Sequence, residues 1–253
     1  MRLLLLWITL FIPYEFAYSQ IVDIQAEVNK KVDNGPSGVA KGSWDRRTGN
    51  TDLTSGSGSL LGRYKIDDHL LLAILKQEYG TKSGEKYLDS RFHHIRYRYA
   101  ITDLLTAELF GQEDFNKFRG YISRHLVGAG PLFKWIDEKH MTFFTGIAYM
   151  QEHETLSEER VQDDGKHVKT DRASVSVAYQ HKVTDSLSLS LSMYYQPNLE
   201  EDDYRLSANS GASFSITDSL SYTLSASITE DTAPPEGIKP RDMSMKNGLK
   251  LAF

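Results

Sequence analysis

The chain has no cysteine. Disulfides, thiolate metal sites and thiol nucleophiles are therefore excluded. Long apolar runs are almost as scarce. The one that stands out, Leu3 to Ile12 with Thr9 inside it, is about ten residues long, roughly half of the about 20 that a helix needs to cross a bilayer. Excess positive charge is missing too: the net charge is -5. A general nucleic-acid binder would need a basic face to neutralise phosphates. Mean hydropathy is -0.43, far from that of a helical membrane protein. It does not exclude a membrane β-barrel, whose lipid-facing and lumen-facing residues alternate and average out.

What is present begins with an export signal. Arg2 is followed by the apolar run, then Pro13, then Ala17-Tyr18-Ser19 before Gln20, the order of a secretory signal peptide over residues 1–19. No cysteine follows the cleavage point, so no lipid attachment is expected there. Residues 20–37 read as a short periplasmic lead and 38–253 as one domain.

Within that domain the apolar residues recur every second position. Leu187, Leu189, Leu191, Met193 and Tyr195 alternate with Ser186, Ser188, Ser190, Ser192 and Tyr194; Leu220, Tyr222, Leu224, Ala226 and Ile228 alternate with Ser or Thr; Leu206, Ala208, Phe214 and Ile216 oppose Arg205, Ser207, Asn209, Ser213 and Ser215. A period of two means strands with one apolar and one polar face, and the spacings of three and four that a helix needs are absent. Turns punctuate the runs. Ile101-Thr102-Asp103-Leu104-Leu105, Val183-Thr184-Asp185-Ser186-Leu187 and Ile216-Thr217-Asp218-Ser219-Leu220 repeat one motif, with Asp and Ser expected to bond the local backbone. Ile66-Asp67-Asp68-His69 and Asp137-Glu138-Lys139 hold equivalent places.

These signals predict strands near 38–48, 52–65, 69–80, 88–100, 104–111, 117–135, 140–151, 172–182, 186–196, 204–216, 219–229 and 243–253. Longer polar connections are expected over 81–87, 111–116, 153–170, 197–203 and 230–242, alternating with the short turns. The fold class that follows is all-β: a transmembrane antiparallel up-and-down β-barrel of about 12 strands, with short periplasmic turns and longer outer loops. Strands of about ten residues suit a tilted span, and fourteen Tyr supply interfacial girdles. A soluble barrel would show the same alternation with the faces exchanged. The chain end, Leu249, Leu251 and Phe253, resembles the assembly signal of bacterial outer-membrane proteins, with Leu251 where an aromatic is often found.

Several motifs carry a family resemblance: Gly49-Asn50-Thr51-Asp52, Ser57-Gly58-Ser59-Leu60, Tyr64-Lys65, then Phe92-His93-His94-Ile95-Arg96-Tyr97, Leu126-Val127-Gly128-Ala129-Gly130-Pro131-Leu132-Phe133-Lys134 and Gly146-Ile147-Ala148-Tyr149-Met150. Across roughly 37–253 the chain resembles the YdiY-like salt-induced outer-membrane protein family, a domain of unknown function. The resemblance implies an outer-membrane barrel without an assigned activity, and the link to osmotic or salt stress comes only from that family's name. It brings no functional residues.

Candidate chemistry is sparse. His94, Arg96 and Arg98 fall on one strand face beside His93 and form a basic lumen cluster, to be read either as an anion-selecting constriction or, more plainly, as cations paired with acids such as Glu78 and Glu108. Acids in the outer loops (Glu154, Glu158, Glu159, Asp163, Asp164 and Asp171, then Glu200, Glu201, Asp202 and Asp203) offer oxygen ligands for divalent cations or a solvated rim. Ser123 and His125 share a strand face, but at i and i+2 they are too far apart for a direct bond. Gly128, Gly130 and Pro131 suggest a bulge or bend. No cofactor is expected. The partners expected are outer-membrane lipid, the barrel assembly machinery and divalent cations at the outer loops. The leading function is a small pore or structural envelope protein without enzymatic activity; the alternatives are an outer-membrane hydrolase or lipid-modifying enzyme and a soluble periplasmic ligand-binding barrel.

Overall fold

The computed structural model describes residues 32–49, 52–116, 121–156, 167–217, 220–234 and 238–251. The expected signal peptide, residues 1–19, and Phe253 lie outside the described residues. Twelve strands form one sheet: β1 Gly35–Arg47, β2 Leu53–Ile66, β3 His69–Lys82, β4 Glu85–Ala100, β5 Leu105–Asn116, β6 Tyr121–Asp137, β7 Met141–Leu156, β8 His167–Lys182, β9 Leu187–Pro197, β10 Tyr204–Ser215, β11 Leu220–Asp231 and β12 Arg241–Leu251. Their spatial order is their chain order. Every adjacent pair is antiparallel. Among the described residues β1 pairs only with β2, and β12 only with β11.

The repeated turn motif owes its shape to threonine. Thr102, Thr184 and Thr217 each accept, on the side-chain hydroxyl, the backbone N–H of the leucine three residues on: Leu105 at 2.9 Å, Leu187 at 3.0 Å and Leu220 at 3.0 Å. The reverse backbone bonds Thr102 N–H to Leu105 C=O (3.0 Å) and Thr184 N–H to Leu187 C=O (3.2 Å) close the turn. The sequence suggested Asp and Ser for this role; a hydroxyl in the second position makes the same local cap.

At the other end the strands run further than the sequence suggests. The 81–87 stretch is not a loop: β3 and β4 meet in a two-residue hairpin, Ser83-Gly84, with φ of 51° and 82°. That pair of positive φ values belongs to the tight turn whose twist matches its flanking strands. Residues 111–116 likewise continue β5, and β7 and β8 extend into the 153–170 stretch. Polar residues on both faces hid these extensions, because a strand projecting past an apolar band has no apolar side to reveal.

The sheet is strongly curled. Arg205 on β10 reaches Glu152 on β7, three strands away, at 2.5 Å, and a cavity of about 50 Å³ is lined jointly by β4 through β9, including Arg96, Glu108, Glu152, Ser174 and Tyr194. The alternating residues therefore divide into inward and outward sets. Leu109, Val127, Ile147, Leu191 and Met245 face outward and are exposed, as are Tyr64, Tyr97, Tyr99, Trp135, Phe214 and Tyr222 near the short-turn end. Ser188 and Ser190 on β9, directly across from Ser213 and Gly211, face inward with Ser225.

The inward face is not uniformly hydroxyl-rich, as the sequence led us to expect. Three small apolar clusters lie on it: Leu61, Leu72, Ile74 and Phe92; Phe110, Leu126 and Met150; Leu132, Phe144 and Ala178. Large side chains from β3–β7 meet inside the curl and exclude water.

Candidate functional site

Two ion-paired groups occupy the interior. The first grows from β4, whose alternation aims His94, Arg96 and Arg98 inward, all nearly buried. Glu108 sits directly across from Arg98 on β5. Arg96 Nη1 donates to both Glu108 carboxylate oxygens at 3.2 Å, and Arg98 Nε donates to Oε1 at 2.5 Å. Arg96 also lies over the Phe110 ring, 4.9 Å from its centroid, a favourable seat for a guanidinium. Its Nε donates to His94 Nε2 at 3.3 Å; a guanidinium can only donate, so the imidazole accepts on that nitrogen. His94 stacks between Phe92 and Phe110. One carboxylate thus serves two arginines. Glu78, the other suggested partner, instead accepts from Ser90 Oγ at 3.1 Å.

The second group is larger, and sequence reasoning did not find it. Arg205 on β10 binds three acids: Glu152 at 2.5 Å, Glu154 at 3.1 Å and Asp231 at 2.9 Å. Arg124 on β6 binds Glu154 at 2.6 Å and approaches Glu152 at 3.5 Å. Arg172 on β8 binds Asp203 at 2.7 Å and donates to the Gln196 carbonyl at 3.2 Å. Glu152 is 2% exposed and Arg205 4%. Buried charges persist only when paired and hydrogen-bonded, and here each arginine has at least one acid in reach. Across the two groups five arginines face five acids; Asp114, buried directly across from Arg124, adds one more acid. This wall carries no excess of cations.

Glu154 and Asp203 were expected in solvated outer loops. Both instead point inward to arginines, because β7 extends through Glu154 and Asp203 sits just before β10. The sequence signal that was available was parity: Glu152 and Glu154 share a strand face, as do Arg172, Ser174 and Ser176. Glu200, Glu201 and Asp202 are exposed, while Glu158, Glu159, Asp163 and Asp164 lie outside the described residues. Among the described residues no group of three His, Asp or Glu converges to hold a metal ion.

Ser123 and His125 lie on the outward face, with Arg124 between them pointing in, so they do not reach the interior. The stretch from Gly128 to Pro131 carries no bulge: its pairing with β5 is continuous, and the ladder to β7 skips Gly130 and Pro131 without a change of register. The register shifts of β6 fall instead at its ends, Tyr121/Ser123 and Lys134/Ile136. Gly128 is needed for space: a Cβ there would lie 2.5 Å from the Phe110 ring and 2.9 Å from Met150 Cβ. At the chain end, Leu249 is exposed on the outward face of β12, and Phe253 lies outside the described residues.

Opposite this packed wall the interior changes character. Ser188, Ser190 and Ser225 face inward and are nevertheless exposed, so solvent reaches them inside the curl. They line a cavity of about 470 Å³ with Gln180, Ser213 and Thr223. A further cavity of about 630 Å³ at the short-turn end is bounded by Lys65, Asp68, Arg98, Asp103, Lys134 and Asp137.

Comparison with known proteins gives the following. Residues 41–253 match the family model described as "Protein of unknown function, DUF481", the family to which the sequence motifs pointed. No curated protein matches the chain. Solved structures with a similar arrangement include a NanC porin (10% identity, 85% of this chain and 99% of that one, TM-score 0.48). Others are the translocator domain of the autotransporter NalP from Neisseria meningitidis (14%, 91% and 92%, 0.45) and a TodX monoaromatic hydrocarbon channel (11%, 88% and 82%, 0.42).

Proposed function

Because the chain belongs to the DUF481 family, whose function is unknown, we propose a role from its own geometry: a closed twelve-stranded barrel in the outer membrane that acts as a small water-filled pore. The observation that carries this reading is the inward yet solvent-exposed row of Ser188, Ser190 and Ser225. A soluble barrel packs apolar side chains inside. Here Leu109 and Ile147 face out, 57% and 53% exposed, and on β9–β11 hydroxyls face in.

Closure follows from the solvent. Each unsatisfied backbone group in hydrocarbon costs several kcal/mol, so β1 and β12 are expected to pair with each other once in lipid. Arg96, Glu108, Glu152 and Tyr194 narrow the interior at mid-height, and the path runs beside them along the hydroxyl-lined strands. Lipid contacts the outward apolar band, and Leu249, Leu251 and Phe253 are the signal expected to reach the assembly machinery.

The test is conductance of the purified protein in planar bilayers, together with its partition into the detergent-extracted membrane fraction. Steady unitary conductance and a heat-modifiable gel band are expected. A soluble, heat-insensitive protein would refute the membrane reading; a membrane-inserted but silent one would leave a structural barrel and refute the pore.

A further inference from the structure

The cavity at the short-turn end has its charges arranged in layers. Pair register sets Lys65 of β2 across from Leu70 of β3, Leu70 across from Arg98 of β4, and Arg98 across from Glu108 of β5, one inward row over four strands. Lys134 of β6, across from the buried Phe144, borders the same space and lies within Coulombic range of both Lys65 and Arg98. Three cationic heads from β2, β4 and β6 therefore converge on the inner part of the cavity. Thr106 of β5 borders it too, across from Ala100 and Leu132. It is 1% exposed, and its hydroxyl has no hydrogen-bond partner among the described residues. The acids stand further out: Asp68 between β2 and β3, Asp103 between β4 and β5, and Asp137 at the end of β6, all exposed.

We propose that this cavity binds a short peptide lying along the strands, its terminal carboxylate inward among Lys65, Arg98 and Lys134 and its terminal ammonium outward among Asp68, Asp103 and Asp137. Opposite charges on the two layers match a ligand with one charge of each sign. A dianion would meet the acidic mouth, and a diamine the cationic interior. Length sets the size. Lys134 and Asp137 lie three positions apart on β6, about 10 Å of strand. The two charges of a single amino acid are too close together to reach both layers, whereas about three residues of extended chain cover about 10 Å. The cavity of about 630 Å³ has room for such a ligand, and Leu70, Ala100 and Phe144 give its side chains an apolar surface. The hydroxyl of Thr106 supplies a further donor for the carboxylate. The site is built from β2 to β7 and does not require that the barrel conduct.

The experiment titrates the full-length purified protein in detergent micelles with trialanine, followed by calorimetry. The comparators are N-acetyl-trialanine, which lacks the ammonium, and trialanine amide, which lacks the carboxylate. Trialanine is expected to bind, and each blocked peptide to bind about fivefold more weakly, the effect of one unit-charge pair about 4 Å apart in the dielectric of water. Lys65→Gln/Lys134→Gln should weaken trialanine by at least that factor and shrink its advantage over the amide. Lys65→Arg/Lys134→Arg should retain both, with the heat-modifiable gel band reporting that each protein folds. No binding of trialanine, equal affinity for the three peptides, or unchanged affinity in a folded Lys65→Gln/Lys134→Gln protein would overturn the inference. The pore reading fails separately. An electrically silent protein that binds trialanine refutes the pore and keeps the site; a conducting protein that ignores trialanine does the reverse.

Discussion

The strands β4–β7 and the short-turn halves of β9–β11 share one alternation but use their inward faces in opposite ways, while the far halves of β8–β11 add Arg172, Tyr194, Arg205 and Asp231 to the packed side. On β4 through β7 the inward residues are Phe92, Arg96, Glu108, Phe110, Met150 and Glu152, large and buried. On β9 through β11 they include Ser188, Ser190, Gly211, Ser213, Thr223 and Ser225, small and wetted. Neither face would fill the interior of the curl alone. Together they make an off-centre interior, packed along one side and hollow along the other. The lesson is that a polar inward face in a barrel does not by itself imply a channel. Side-chain volume decides where water remains.

Four tests, one of them a matched pair of substitutions, probe this contrast in falling order of expected effect. Glu152→Gln removes the carboxylate shared by Arg205, Arg124 and Arg172, and leaving buried charge uncompensated should cost about 3–5 kcal/mol. A urea midpoint unchanged from the parent, followed by tryptophan fluorescence in vesicles, would show that the packed wall does not depend on its ion pairs. Leu191→Arg places a charge on the outward face of β9 and should destabilise by about 2–4 kcal/mol near the bilayer midplane, whereas Ser190→Arg, one residue away and inward, should be close to neutral; the opposite ranking means the faces are exchanged. Gly128→Val drives a side chain into the Phe110 ring, an overpacking expected to cost about 1–3 kcal/mol. Ser225→Val on the hollow side should stay within about 0.5 kcal/mol while lowering conductance. If it destabilises as much as Gly128→Val, that side is packed after all.

The strands were legible because alternation is local. A run such as Ser186 to Tyr195 declares its two faces without reference to any other strand, and the turns at Thr102, Thr184 and Thr217 repeat in plain view. The ion-pair network was not legible, because it depends on register between strands and on curvature. Nothing near Arg205 in the chain announces Glu152, 53 positions earlier. Glu154 and Asp203 were misplaced for a related reason: where strands project beyond the apolar band both faces turn polar, and buried acids look like loop acids. Of the basic cluster, the shared face of His94, Arg96 and Arg98 could be read from parity, and so could its neighbour Glu108. That one carboxylate would hold two guanidiniums could not.

Chain order and spatial order coincide throughout the sheet, so each new strand finds its template in the strand made just before it. Such a chain can grow by adding one hairpin at a time, with errors confined to the latest addition. In the closed barrel proposed above the starting point should be movable: joining residues 35 and 251 by a linker and opening the chain at Ser83-Gly84 would keep eleven strand-to-strand connections and leave only β3 and β4 to pair as chain ends, a gentle circular permutation for a β-protein.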